Sequence, residues 1–326
     1  MILVIGGAGY LGTILVEKLL ERGYPVRILD SFIYGKKSIQ KFQNDGRVQI
    51  IEGDIRNIET VNSAMKGINS VVLLAAVVGD PASVSRPEQT IETNLLASQM
   101  IASACKLNGI NRFIYASTCS VYGIGKEVLD ESAPLNPVSL YAKTKIASEK
   151  SILHLADSNF CPTIMRMSTL YGYSPRMRFD LVVNTMTMTA FLENQIKVFG
   201  GNQWRPLMHV KDAADAYIKT LEADLNSVRG KVYNVGSEEQ NYQIKEVSKI
   251  ISKSLNGVEV STQASNIDSR NYQVSFKKIQ NELNFKVMHT VEEAANEIYQ
   301  KLKSKEIKDP KQKVYYNHYF DASEEM

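Results

Sequence analysis

Along the first half of the chain, short runs of branched apolar residues alternate with longer segments whose apolar positions recur every three or four residues. The short runs are residues 2–5 (Ile-Leu-Val-Ile), 26–29, 48–51, 71–74, 113–115 and 163–165. Apolar runs of this length, rich in Val and Ile, read as strands buried on both faces. Between them, residues 11–21, 58–65, 89–107 and 141–155 carry the spacing that lines up apolar side chains on one face of a helix. Strand alternating with helix predicts βαβ units with right-handed crossovers, and so an α/β fold built on a doubly wound parallel sheet.

The alternation breaks near Ser168. Helical patterns at 180–192, 211–222, 243–255 and 291–302 then mix with isolated strands and loops. This predicts a large α/β domain over 1–167, rejoined by about 207–235. A smaller mixed α/β lobe over about 168–206 and 236–308 sits on the C-terminal edge of the sheet. Residues 309–326, with Tyr315, Tyr316, Tyr319 and Phe320 set among charges, read as a loosely attached tail.

Composition narrows the class. The chain has 326 residues and a formal charge of only +3, which gives no reason to expect nucleic acid or an anionic membrane surface as partner. Cys105, Cys119 and Cys161 are odd in number and widely spaced, so neither a disulfide framework nor a metal site is expected. No apolar run approaches the roughly 20 residues of a membrane helix, and Met1 leads straight into a strand rather than a leader. A soluble, cytoplasmic protein is the expectation.

The first strand runs into Gly6-Gly7-Ala8-Gly9-Tyr10-Leu11-Gly12, with glycines at 6, 9 and 12 between strand and helix. Such glycines permit a tight turn and let a pyrophosphate approach the backbone at a helix N-terminus. In that context the spacing points to a Rossmann-type dinucleotide site. Asp30, at the end of the second strand, suits hydrogen bonding to both adenosine ribose hydroxyls and repels a 2′-phosphate, which favours NAD over NADP. Arg27, Lys36 and Lys37 lie near enough to keep a 2′-phosphate clamp as the alternative. Asp54 and Ile55, after the third strand, read as an adenine-edge contact, with Asp54 alternatively an N-cap for the following helix.

Tyr141 and Lys145 lie one helical turn apart, with Pro137 suited to the helix's first turn. A phenol with an ordinary pKa near 10 needs a neighbouring cation and a helix N-terminus to act as a base at neutral pH. Ser117-Thr118-Cys119-Ser120-Val121-Tyr122-Gly123 follows the fifth strand, where a hydroxyl could hold the reacting oxygen. Taken in order, the glycine turn, Leu74-Ala75-Ala76, Asn94, this Ser-Thr loop and Tyr-x-x-x-Lys resemble the extended short-chain dehydrogenase/reductase family. Within it, the chain is similar to nucleotide-sugar epimerases and dehydratases of the UDP-galactose 4-epimerase kind. The resemblance implies Thr118 as active-site hydroxyl, Tyr141 as acid/base and Lys145 as its pKa tuner and nicotinamide-ribose contact. It places Gly6, Gly9, Tyr10, Leu11, Gly12, Asp30, Asp54, Ile55, Leu74, Ala75, Ala76, Asn94 and Ser117 around the cofactor.

On the substrate side it implies contacts from Thr118, Cys119, Ser120, Asn184, Arg205 and Arg270, the two arginines holding a nucleotide diphosphate as planar forks. Ser174-Pro175-Arg176-Met177-Arg178-Phe179-Asp180 is similar to a signature found among epimerases and 4-dehydrogenases of capsule and lipopolysaccharide pathways. Arg176 and Arg178 are candidates there for sugar or phosphate. Asp212 reads as a helix cap. Ser168-Thr169 and Val78 depart from the Phe-Asn and Lys of ordinary UDP-galactose 4-epimerases. A dehydratase would carry Asp-Glu where Cys119-Ser120 stands, and an epimerase-reductase would carry a cysteine at Ser120, so both are disfavoured. The expectation is an NAD-dependent 4-epimerase of a nucleotide-diphosphate sugar, working through a 4-keto sugar. A 4-dehydrogenase/reductase and a non-catalytic NAD-binding regulator are the alternatives. A homodimer through residues 89–107 and 141–155 is expected from the family.

Overall fold

The computed structural model describes residues 1–264, 268 and 270–317. Seven strands form one parallel sheet in the spatial order Val232–Val235, Cys161–Met167, Arg112–Thr118, Ser70–Leu73, Ile2–Ile5, Val26–Asp30, Val48–Glu52. Ile2 is in register with Val26 on one side and with Ser70 on the other. The strand order therefore reverses at the first strand. In a doubly wound sheet, the crevice beyond the carboxyl ends of the strands at that reversal is where ligands bind.

Alternation along the strands distributes the core over both faces. Ile2, Val4, Ile28 and Val72 join a cluster with helices Tyr10–Glu21 and Val210–Glu222. Leu3, Ile5, Leu29 and Val71 join another with helices Ile58–Met65 and Ser98–Leu107. The two helices of the first face are further tied by a Lys18–Asp215 ion pair of 2.7 Å. A third cluster, including Tyr171, Val183, Ile196, Leu207, Val247 and Ala294, forms the core under helices Val182–Glu193, Ile244–Ser254 and Val291–Lys303.

Several elements differ from their sequence expectation. The fifth and sixth strands run longer than predicted, as Arg112–Thr118 and Cys161–Met167. The segment expected as one helix over 89–107 is a short helix Pro87–Thr90, a widened π turn Ile91–Ala97, and helix Ser98–Leu107. The widened turn carries Asn94 fully into the interior. Strand Ile124–Leu129 was not legible, because its parallel partner Asn271–Val274 lies far along the chain. The tail is docked as far as it is described: Phe179 N donates to Tyr315 O at 3.0 Å, and Asn317 is buried. Tyr319 and Phe320 lie outside the described residues.

Among the described residues, no helix is long and apolar enough to cross a membrane. The three cysteines are buried free thiols.

Candidate active site

The glycine turn is shaped by contacts that exclude a side chain. Gly6 has φ +87°, and a Cβ there would sit 2.7 Å from the backbone nitrogen of Ala75. A Cβ on Gly12 would lie 2.1 Å from the Gly6 carbonyl oxygen, so strand, turn and helix meet backbone to backbone. Gly9 occupies the N-cap of helix Tyr10–Glu21 and offers no side-chain acceptor to the first turn, whose N–H groups face the crevice end of the sheet. Leu74 and Ala75 both donate their backbone N–H to Ile5 O, which holds the following loop against the turn. Tyr10 points inward, its hydroxyl donating to Gly172 O at 2.6 Å.

Asp30 reaches back over the turn. Its two carboxylate oxygens accept from Ala8 N and Phe32 N, each at 2.9 Å. Burial raises its pKa and these backbone hydrogen bonds oppose the rise. A backbone cradle closed to any Cβ, an uncapped helix N-terminus and a carboxylate at the end of the second strand fit a dinucleotide. Two of the three cations considered for a 2′-phosphate are engaged elsewhere: Arg27 with Gln49 and backbone carbonyls, Lys36 with Glu52 at 2.6 Å. Asp54 does not cap the next helix; Asn57 does, accepting from Glu59 N and Thr60 N. The Asp54 carboxylate is instead held by Arg56 at 2.6 Å.

Tyr141 is the second residue of helix Leu140–His154, which is capped by the Ser139 hydroxyl rather than started by Pro137. The Thr118 side chain lies close enough to Tyr141 to help lower its phenol pKa, while its Oγ1 accepts from Ser120 N at 3.1 Å. Lys145, 2% exposed, donates through Nζ to Ala116 O at 2.8 Å and lies 5.9 Å from the Tyr141 ring centroid. Burial pushes the Tyr141 phenol up to about 12. The charge that offsets this most is the Arg178 guanidinium, with Thr118 and Arg270 assisting and Asp80 opposing. Burial also brings Lys145 down to about 7, against the pull of Glu149. The lysine thus faces a carbonyl, and burial weakens the charge with which it would tune Tyr141.

Glu149 and Arg166 were missed from sequence. They form a buried ion pair of 2.8 Å, and Glu149 also accepts from the Ser117 hydroxyl. Arg166 Nη1 continues to the Tyr122 hydroxyl at 3.0 Å, which donates to Asn234 Oδ1 at 2.8 Å. The available signal was an arginine inside an otherwise apolar strand and a glutamate on the buried face of the catalytic helix. This network claims Ser117, whose hydroxyl was expected at the cofactor.

Other expected contacts are likewise spent on the protein. Asn94 grips the loop after the fourth strand, accepting from Val77 N at 2.8 Å and donating to Val77 O at 2.9 Å. Asn184 accepts from Gly172 N and donates to Arg178 O and the Tyr10 hydroxyl. Cys119 is buried with Sγ on Arg166 O at 3.2 Å, its thiol pKa raised by burial. Asp212 is not a cap. His209 caps helix Val210–Glu222, and Asp212 holds His289 through Nδ1 at 2.7 Å. Ser120 lies near Tyr272, whose pKa burial raises and Ser120 helps to lower.

The remaining arginines expected at the substrate are held in ion pairs. Arg178 pairs with Asp180 at 2.7 Å. Arg205 and Arg270 share Asp268, at 2.8 and 2.5 Å, and Arg270 also reaches Asp80 at 3.3 Å. Asp80, on helix Asp80–Ser85 after the fourth strand, was not foreseen; it links the two sides of the crevice. Among the described residues no cluster of His, Cys, Asp and Glu could hold a metal.

The sequence model of the NAD dependent epimerase/dehydratase family matches residues 2–236. The chain is 31% identical over 259 residues to a UDP-N-acetyl-alpha-D-glucosaminuronate decarboxylase of Bacillus cytotoxicus, covering 76% of this chain and 78% of that protein. It is 28% identical over 283 residues to the UDP-glucose 4-epimerase of Bacillus subtilis, covering 79% and 83%. The crystal structure of UDP-glucuronic acid 4-epimerase from Bacillus cereus, in complex with UDP-glucuronic acid and NAD, superposes with a TM-score of 0.82 at 25% identity, covering 93% of this chain and 99% of that one. The chain belongs to the NAD dependent epimerase/dehydratase family, in the nucleotide-sugar group of the extended short-chain dehydrogenases/reductases, and is an enzyme whose cofactor is NAD.

Proposed function

We propose that the protein is a 4-epimerase of a nucleotide-diphosphate sugar. The observation that carries this reading is the placement of Thr118, at the carboxyl end of its strand, near Tyr141, whose pKa its side chain helps to lower, with Lys145 Nζ 5.9 Å from the Tyr141 ring centroid. In this role Thr118 holds the sugar's C4 oxygen while Tyr141 takes its proton. NAD supplies the acceptor for the hydride leaving C4. Lys145, when protonated, favours the Tyr141 phenolate, and Tyr141 returns the proton to the C4 oxygen when the ketone is reduced on its other face. Arg205 and Arg270 take the diphosphate as paired forks, exchanging Asp268 and Asp80 for phosphate oxygens. Leu74, Ala75, Ala76 and Ile55 would face the cofactor, and Ser120 the sugar.

Oxidation at C4 also opens a 4-dehydrogenase/reductase route. The decarboxylase relative is a reason to include uronic acids among the substrates tested. Exposed Ile91 and Leu96 on the segment before helix Ser98–Leu107 support a homodimer through this helix and Leu140–His154. A cytoplasmic role in capsule or lipopolysaccharide assembly is the setting that the Ser174–Asp180 signature suggests.

The test is to incubate purified protein with UDP-, GDP-, CDP- and dTDP-sugars, hexoses and uronates, without added cofactor. Nicotinamide absorbance and the recovered sugar's C4 configuration are followed together. Inversion with no lasting NADH establishes the epimerase. A ketone with stoichiometric NADH makes it a 4-dehydrogenase, and carbon dioxide from a uronate makes it a decarboxylase. Bound NAD with no turnover on any sugar points to a regulator.

A further inference from the structure

Two arginines outside the catalytic constellation converge on one residue of the docked tail. Arg86 Nη2 donates to the backbone oxygen of Asn317 at 2.7 Å, and Arg176 Nη2 donates to its Oδ1 at 2.6 Å. Asn317 Nδ2 lies 3.4 Å from Val78 O, on the loop that follows Leu74-Ala75-Ala76. Asn317 is 6% exposed and Arg176 is 4% exposed. The guanidinium carbon of Arg176 stands 3.7 Å over the ring centroid of Tyr34, four residues beyond Asp30, and is close enough to feel the Asp30 charge.

This arrangement is costly unless an anion belongs there. Taking a guanidinium out of water carries a desolvation penalty that only a counter-charge and full hydrogen bonding offset. Among the described residues, no carboxylate lies within ion-pair distance of Arg86 or Arg176, and the buried Nε of each has no hydrogen-bond acceptor. The burial of Arg176 is otherwise met by a neutral amide and a phenol ring. Asp268, Asp80 and Asp180 satisfy the other crevice arginines; these two alone are left to neutral partners. Their position decides which anion. Arg176 lies against the loop after the ribose-side carboxylate, and Asn317 ties it to the loop after the fourth strand. These two loops flank the glycine turn on either side.

We propose that Arg176 and Arg86 form an anion site for the diphosphate of the dinucleotide, with Asn317 as the residue that positions both. The assignment rests on the reading of Asp30 as the adenosine-ribose contact, and it moves Arg176 from the sugar to the cofactor. It also gives the docked tail a function, since Asn317 holds Nη2 of both guanidinium forks.

Binding of NAD, ADP and adenosine to the full-length protein tests the assignment, with melting temperature and circular dichroism recorded for each variant. Arg176→Gln should raise the dissociation constants for NAD and ADP by about tenfold to a hundredfold, the range for a lost charge-assisted hydrogen bond, and change that for adenosine less than about twofold. Asn317→Asp is the discriminating variant. A purely structural tie would be kept or strengthened by a carboxylate between two arginines, whereas a site for phosphate would be neutralised, and NAD would bind about tenfold more weakly. Equal weakening of ADP and adenosine by Arg176→Gln, or unchanged NAD binding in Asn317→Asp, overturns the proposal. Should Arg176→Gln fail to fold, Arg86→Gln and Asn317→Asp decide it by the same criteria. An Asp30→Ala control separates the two readings: if it leaves adenosine affinity intact, the placement of the ribose is at fault, and otherwise the arginine assignment stands or falls alone.

Discussion

Glu149 lies one helical turn beyond Lys145 on the same buried face, and it is the group that sustains the lysine's charge against burial. Glu149 is in turn fixed by Arg166 at 2.8 Å and by the Ser117 hydroxyl, so the strand that carries Thr118 and the helix that carries Tyr141 are locked through one carboxylate.

That relationship sets a pH dependence. With Lys145 at about 7, its protonated fraction, and the support it gives the Tyr141 phenolate, falls as pH rises through neutrality. Glu149→Gln removes the one pull that raises the lysine, so the high-pH fall in kcat/KM should begin at lower pH than in wild type. The stability effect has a separate sign. The lysine's folded value lies below its ordinary 10.5, so between about 7 and 10.5 the unfolded chain binds more protons and stability rises with pH. Glu149→Gln also leaves Arg166 buried without its partner, at a cost of about 3–5 kcal/mol. A kcat that drops with no change in the shape of the pH profile would mean that Glu149 is structural only.

Cys119 stands beside the active-site threonine, where a reactive thiol could take a proton from a sugar carbon. Its Sγ instead contacts Arg166 O at 3.2 Å, and burial raises its pKa. Cys119→Ser keeps a donor for that carbonyl and should change kcat and KM by less than about twofold. Loss of turnover with the fold retained would bring carbon-centred epimerisation back. Treatment of the native protein with iodoacetamide should likewise leave activity unaffected while the protein stays folded.

The first half of the molecule was legible because each of its signals is local. A buried strand, an amphipathic helix, a glycine turn and a tyrosine–lysine pair are each complete within a dozen residues. Glu149 and Arg166 come from different elements and carry meaning only once the helix lies on the strand. Asn184 sits in a helix where any polar residue might meet ligand, and only the fold turns its amide to Gly172 and Tyr10. Arg176 could be read as a phosphate contact, but its partner Asn317 is 141 residues away. Charge state was least legible of all, since the values of Tyr141 and Lys145 are set first by burial.

Asp30 makes a prediction for cofactor affinity. Its carboxylate accepts from Ala8 N and Phe32 N, and so shapes the turn on which the proposal places the dinucleotide. Asp30→Asn retains one acceptor oxygen but presents an amide N–H₂ to a backbone N–H that needs an acceptor. Losing a charged hydrogen bond of this kind costs about 1.5–3 kcal/mol. The dissociation constant for NAD, measured by calorimetry, should rise by about tenfold to a hundredfold. Discrimination against NADP should shrink in the same variant, because the repelling charge is gone. Unchanged affinity for both would remove Asp30 from the cofactor site.

Arg178 and Asp180 give the sharpest test of the acid/base assignment, because Arg178 acts on Tyr141 while Asp180 holds Arg178 in an ion pair of 2.7 Å. Arg178 is the largest influence lowering the phenol's pKa, working against burial. Arg178→Gln should therefore push Tyr141 further up, and the rise of kcat/KM with pH that reports a deprotonated base should move to higher pH. Asp180→Asn releases Arg178 from its counter-charge, so the full guanidinium acts on the phenol and the same limb should move to lower pH. A pair of structural residues would lower activity in both variants without shifting the limb in opposite directions. Opposed shifts, with Tyr141→Phe reducing kcat by about 10²–10⁴-fold, would establish Tyr141 as the titrating group. Two shifts of the same sign would mean that the base lies elsewhere in the crevice.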